Sequence, residues 1–364
     1  MLSMKKSYCF LFLTTAVIFT TQPVLGSEVF VLKSSEPHYL TTAVVPSCVT
    51  EARAISANGK FVVGGSDVKS DGNCNPHAFV WSEKTGMIDI NKDAAPWSWA
   101  TAVNMDGTVI AGMLQRPGRE DPRPFKWTAE TGIVDLTQIN AQLETFCPAV
   151  LSADGATMGG RILNPKNSAE TRAVLVSNDV ITFLGSKQKN EASRVKAMTP
   201  NGEVVVGEIN NHVFRWKKGD GLKDISIVKG RRLSSYANGV SDDGSVVVGS
   251  VFIDGAERAY RWTEKEGIKN LGTLIKTKGT YDVYSKAFAV SGDGKIVYGI
   301  SSANSEEENH LFRWTADTGM VDLGKTTGNI SERNIAGVSS DGSILAGSAP
   351  HGGWKKTAFI QKLN

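Results

Sequence analysis

The 364-residue sequence predicts an all-β fold, a seven-bladed β-propeller of four-stranded antiparallel blades. Three observations predict it. A Ser-x-Asp-Gly-type turn recurs seven times, the period between copies has room for four short strands, and the last copy lacks its fourth strand.

The turn glycines are Gly59, Gly107, Gly155, Gly202, Gly244, Gly294 and Gly342, spaced 48, 48, 47, 42, 50 and 48 residues apart. Before each turn stands a small/apolar alternation, as in Ala54-Ile55-Ser56 or Ala102-Val103-Asn104, which is the first strand. After it comes an apolar run that usually closes on glycine, such as Phe61-Val62-Val63-Gly64 or Val246-Val247-Val248-Gly249, the second strand. The third strand ends on tryptophan in five copies, at Trp81, Trp127, Trp216, Trp262 and Trp314. A short turn around Gly86, Gly132, Gly221, Gly267 or Gly319 leads into the fourth strand, clearest in Ile133-Val134-Asp135-Leu136 and Met320-Val321-Asp322-Leu323. Asn/Asp-Gly suits such corners because glycine accepts positive φ and the Asx side chain bonds nearby backbone.

Both ends bear on closure. The seventh copy stops at Asn364 after Thr357-Ala358-Phe359-Ile360, while Glu28-Val29-Phe30-Val31-Leu32 is a strand without a unit of its own. Pairing the two completes the ring and covers two open edges, so residues 27–364 are expected to form one domain. The repeated tryptophans are expected to pack between blades. Copies three and seven carry Val176 and Gln361 at that place and are expected to form the looser joints.

Residues 1–26 read as a secretory signal. Lys5 and Lys6 precede an apolar run from Cys9 to Phe19, and Val24-Leu25-Gly26 forms a small-residue cleavage pattern. That run is short for a membrane span, and no second one follows, so no stable membrane insertion is expected once the signal is removed. The 40 basic against 37 acidic residues give +3, or +1 without the leader, which offers nothing to draw nucleic acid. Export to the periplasm or beyond permits disulfides, and Cys48 with Cys74 is the nearer pair, leaving Cys147 over.

The repeat resembles the extracellular HAF-repeat family, named for the His-Ala-Phe that stands here at His77-Ala78-Phe79. The resemblance spans the chain after the leader and rests on Ser-x-Asp-Gly, Val-Val-Gly and the Ala-Phe-Arg-Trp-Thr type of third strand. It implies a secreted or surface bacterial protein and supplies no catalytic residue.

Strand connectivity puts the uniform first-to-second and third-to-fourth turns on one face of the ring. The variable second-to-third loops and the blade crossings lie on the other, where binding is expected. Its non-repeating aromatic and basic residues are the candidate ligand-binding set: Trp97, Trp99, Arg231, Arg232, Tyr236, Tyr281, Tyr284, Arg333 and Trp354. Carboxylates such as Glu144, Glu191 and Asp282 are scattered there. The five histidines form no metal spacing, and no cofactor fingerprint or nucleophile elbow is present, so no catalytic residue, metal or cofactor is assigned. His77 and His310, at the starts of third strands, read as structural. The expectation is an exported monomeric binding module, more likely not an enzyme, that presents the loop face to an extracytoplasmic protein or glycan. The alternatives are a secreted glycoside hydrolase or other polysaccharide-active enzyme, and a structural envelope protein.

Overall fold

The computed structural model describes residues 38–40, 49–67, 75–92, 94–116, 118, 121–185, 191–228, 230–275, 283–303, 305–325, 335–350 and 356–363. Seven four-stranded antiparallel sheets are present, each a meander in chain order except the last. Blade 1 comprises Thr50–Ile55, Val62–Asp67, Pro76–Ser82 and Gly86–Asp89. The first strands of blades 2 to 7 are Ser98–Val103, Phe146–Leu151, Ser193–Met198, Ser235–Val240, Ser285–Val290 and Ile335–Val338. These seven first strands surround a central tunnel of about 320 Å³. A two-stranded ribbon, Ile227–Val228 with Arg231–Arg232, sits in the crossing from blade 4 to blade 5.

Blade 7 closes as an exchange between the two ends of the chain. His38–Leu40 pairs antiparallel with Lys356–Lys362, and Leu40 is buried with Phe79 and Ala358. The expected closing strand, Glu28 to Leu32, lies outside the described residues, and the pairing falls to a later segment. Leu40 is the apolar anchor of the pairing and seats between blades 7 and 1.

The seven-fold turn has one mechanism. In blades 1, 3, 5, 6 and 7 the serine hydroxyl donates to the Asx carboxyl or amide oxygen two residues on. It also accepts from the backbone N–H five residues on. Thr199 performs both roles in blade 4, and Asn104 Oδ1 accepts from Val109 N in blade 2. The serine-to-aspartate bond, followed by a backbone bond, holds Asp154, Asp243, Asp293 and Asp341 below the usual carboxylate range. The glycine ending the second strand answers a different need. A Cβ on Gly249 would stand 1.9 Å from the Tyr236 carbonyl oxygen, because the first strand bulges onto it.

Blades are joined by repeating polar ties as well as by apolar packing. Buried Ser98, Ser193, Ser235 and Ser285 open first strands and accept from a third-strand N–H of the preceding blade. On the turn side, backbone bonds run from blade to blade: Met105 to Ala153, Ala153 to Pro200, Asp242 to Gly292, Gly292 to Ser340 and Ser340 to Ala57. Pro200 has no N–H, so it cannot pass the belt on to blade 5.

Each tryptophan packs on the preceding blade, as Trp262 does on Val206 and Trp314 on Val248. The joints expected to be loose are filled instead. Beside Val176, Leu136, Leu143 and Phe146 are buried. Beside blade 7, Tyr298 replaces the small residue of other blades and its hydroxyl donates to Gly342 O at 2.8 Å. Two sizeable turn-face clefts lie at tryptophan joints, between blades 4 and 5 and between blades 7 and 1.

Candidate functional site

The tunnel's chemistry is set by residues that the repeat leaves free. Every first strand slips register by one residue, at Arg53, Thr101, Ala149, Lys196, Asn238, Phe288 and Ala336. All seven line the tunnel. Residues two positions earlier share that side of the strand and stand at its loop-face mouth: Glu51, Trp99, Cys147, Arg194, Tyr236 and Lys286. Their neighbours on the opposite side, such as Ala52, Ala100 and Ala237, are buried between blades.

Two aromatic pairs flank this mouth. Trp97 and Trp99 stack with centroids 4.4 Å apart at 14°, both half-buried, and the Arg53 guanidinium lies 4.8 Å over Trp99. Tyr236 meets Phe252 edge-on at 6.4 Å. Blades 2 and 5 are three steps apart in a ring of seven, so the pairs face each other across the opening.

The charges between them are arranged in pairs. Glu51 takes Arg53 at 3.3 Å and Lys356 at 3.2 Å. Arg194 donates through Nε at 2.8 Å and Nη2 at 2.6 Å to Oε2 of buried Glu208. Lys286 pairs with Glu257 at 2.9 Å and lies 5.7 Å from the Tyr284 ring. Behind Glu208 the buried Tyr260 hydroxyl is pushed far up, by burial first and then by the Glu208 charge. Burial likewise raises the Cys147 thiol, with Arg161 opposing, so it is a neutral thiol at neutral pH.

Of the residues singled out in the sequence, Trp97, Trp99, Tyr236 and Tyr284 belong to this mouth. Arg231 and Arg232 are exposed on the ribbon, and Arg232 Nε is held by Asp224 Oδ2 at 2.6 Å. Tyr281, Arg333, Trp354, Asp282 and the Cys48–Cys74 pair lie outside the described residues. Glu144 is spent on Arg123 at 2.5 Å, and Glu191 is buried, accepting from Ser193 at 2.8 Å. His77 and His310 bond Asp89 at 2.9 Å and Asp322 at 2.8 Å on the fourth strands of their own blades.

Glu51, Arg53, Arg194, Lys196 and Lys286 were missed in the sequence. The available signal was their place: non-repeating residues at alternate positions of the repeated first strand. Among the described residues no group of three or more His, Cys, Asp or Glu stands together to hold a metal ion.

No family model matches this chain, and no curated protein matches it either. Solved structures do. An oligogalacturonate lyase in complex with manganese superposes with TM-score 0.60 at 12% identity, over 92% of this chain and 98% of the lyase. An oligogalacturonate lyase from Vibrio parahaemolyticus gives TM-score 0.56 at 13% identity, over 91% and 97%. The β-propeller domain of the Trilobed protease from Pyrococcus furiosus, described as an open velcro topology, gives 0.56 at 13%, over 86% and 97%. At such identities the likeness establishes the β-propeller and does not single out the HAF-repeat family. Among the described residues no group fits the lyase's manganese, and none is carried over.

All three structures come from enzymes, and part of a prolyl endopeptidase is similar too, with TM-score 0.53 at 12% identity over 84% of this chain and 46% of that one. This overturns the expectation that the chain is more likely not an enzyme. The β-propeller here is of a kind found in carbohydrate-active enzymes and proteases. No helix among the described residues is long and apolar enough to cross a membrane.

Proposed function

We propose that the chain is an exported polysaccharide-active enzyme that cleaves an acidic glycan at the loop-face mouth of the tunnel. The observation that carries this reading is the mouth itself: facing aromatic pairs with Arg53, Arg194, Lys196 and Lys286 around a single first-strand carboxylate, Glu51. Sugar rings stack on Trp97, Trp99 and Tyr236, and the cations meet the carboxylates of an acidic sugar. Glu51 takes the role of general base.

Hydrolysis ordinarily uses two carboxylates flanking the scissile bond. Among the described mouth positions of the first strands, Glu51 is the one carboxylate, with Glu208 on a second strand and Glu257 on a third. Elimination suits this set better: Glu51 takes the proton beside the sugar's carboxylate, a cation steadies that carboxylate, and the glycosidic oxygen departs with a proton from water. Support also comes from the acidic substrate named for the lyases of similar fold. Residues 1–26 would direct export, residues 27–364 would form the working domain, and the working form would be a monomer.

The test incubates purified protein, without residues 1–26, with uronate polymers and with neutral glucans, reading the ultraviolet absorbance of unsaturated uronate. Acidic polymers alone should be cut. Glu51→Gln should lower kcat by about a hundredfold, the scale of a lost general base. Folded protein that leaves every acidic polymer intact overturns the proposal. Activity of Glu51→Gln equal to the unaltered protein's removes Glu51 from it.

A further inference from the structure

The turn face has a cavity where the ring is stitched shut. Between blades 7 and 1 lies a cleft of about 1180 Å³, floored by Phe61, Trp81, Ile344 and Ile360. Lys60, Lys84 and Lys362 stand around it, against Glu83 as the one acid among the described residues of its lining. Its walls are fixed by the fold. The blade 1 turn rests on blade 7, where a Cβ on Gly59 would meet Ile344 Cδ1 at 2.9 Å. The turn carrying Lys84 is tied by Ser82 Oγ and Thr85 Oγ1 at 2.7 Å.

The cleft between blades 4 and 5 provides the contrast. There Asp220, Glu264 and Glu266 are engaged by Lys217, Lys223 and Arg261, so its charges largely answer one another. In the cleft between blades 7 and 1, exposed Lys60 and Lys84 border an aromatic floor and are in no ion pair among the described residues. An apolar pocket with a few converging cations is the form taken by sites for small amphiphilic anions.

We propose that this cleft binds a small aromatic anion, its ring against Phe61 and Trp81 and its carboxylate or sulfonate against Lys60 and Lys84. The site is on the face opposite the tunnel mouth and does not depend on what happens there. It touches the first blade and the last at once, so an occupant holds the closure together.

The probe is anilinonaphthalene sulfonate, titrated into folded protein with fluorescence and calorimetry. One saturable site is expected. Lys60→Glu combined with Lys84→Glu should weaken it about tenfold, while Lys265→Glu in the other cleft should leave it unchanged. Saturating dye should raise the Tm of the unaltered protein and leave that of the double variant nearly where it was. The proposal falls if the double variant binds as tightly as the unaltered protein. It also falls if the folded protein shows no saturable site.

Discussion

Tyr298→Val and Gln361→Trp should each destabilise the protein alone and partly cancel when combined. In blades 4 and 5 the centre of the second strand is Val206 or Val248, and the next blade's tryptophan packs over it. At the joint of blades 6 and 7 the sizes are exchanged: Tyr298 is 2% exposed, and Gln361 stands where tryptophan recurs. Valine at 298 empties most of the aromatic volume, at about 3 kcal/mol by analogy with large-to-small core changes. It also strips Gly342 O of its 2.8 Å hydroxyl partner, about 1 kcal/mol more. Tryptophan at 361 beside an intact Tyr298 overpacks the joint by about 2 kcal/mol. Independent effects would total about 6 kcal/mol, whereas the combined variant rebuilds the joint of the other blades and should recover about 2 to 3 kcal/mol of that. Urea unfolding of the four proteins, with unchanged m-values, measures the coupling. A combined loss equal to the sum of the two single losses would refute the reasoning that one residue compensates for the other.

Ser285→Ala removes an acceptor for Ala259 N at 2.9 Å and a donor to Gly272 O at 2.6 Å, both at a fully buried hydroxyl. It should cost about 2 to 3 kcal/mol and speed amide exchange at Ala259, and unchanged exchange there would discount the tie. Asp154, Asp243, Asp293 and Asp341 have folded-state values below the ordinary 3.8, so their contribution is present above that value and lost as pH falls through the lowered one. Changing all four to asparagine, already the residue at Asn58 and Asn201, should flatten the fall of the urea midpoint between about pH 5 and pH 2. An equally steep fall would place the acid sensitivity elsewhere.

The seven-fold pattern was legible because a turn with fixed φ leaves little choice of residue, and seven copies make that restriction visible. The packing role of Trp81, Trp127, Trp216, Trp262 and Trp314 followed from the same regularity. Where the regularity fails, the reading did too. Tyr298 and Leu143 fill joints from outside the tryptophan position, and only three-dimensional neighbourhood reveals it. The closing strand, expected at Glu28 to Leu32, falls on His38–Leu40, whose Leu40 is buried against blades 7 and 1; short extended stretches near one another are not told apart by pattern alone.

The site was half legible. Trp97, Trp99, Tyr236 and Tyr284 stand out as aromatic residues that the repeat does not require. Arg53, Lys196 and Glu51 were hidden inside the first strand, where a one-residue bulge decides which side chains face the tunnel. That bulge leaves no mark in composition or period.

The exchange of ends in blade 7 also imposes an order in time. Blades 1 to 6 consist of neighbouring stretches of chain, so each can assemble as soon as its own residues have been made. The last blade cannot. Its outer strand, His38–Leu40, is made before blade 1 and must wait for Lys356–Lys362, made after blade 6. The tie from Ala52 N to Ser348 Oγ likewise spans 296 positions. A nascent chain therefore carries that strand unmatched while the blades between are made, and the closed ring exists only after blade 7 emerges. Fusing the two ends and reopening the chain between two inner blades would let that joint form early and leave a different one until last.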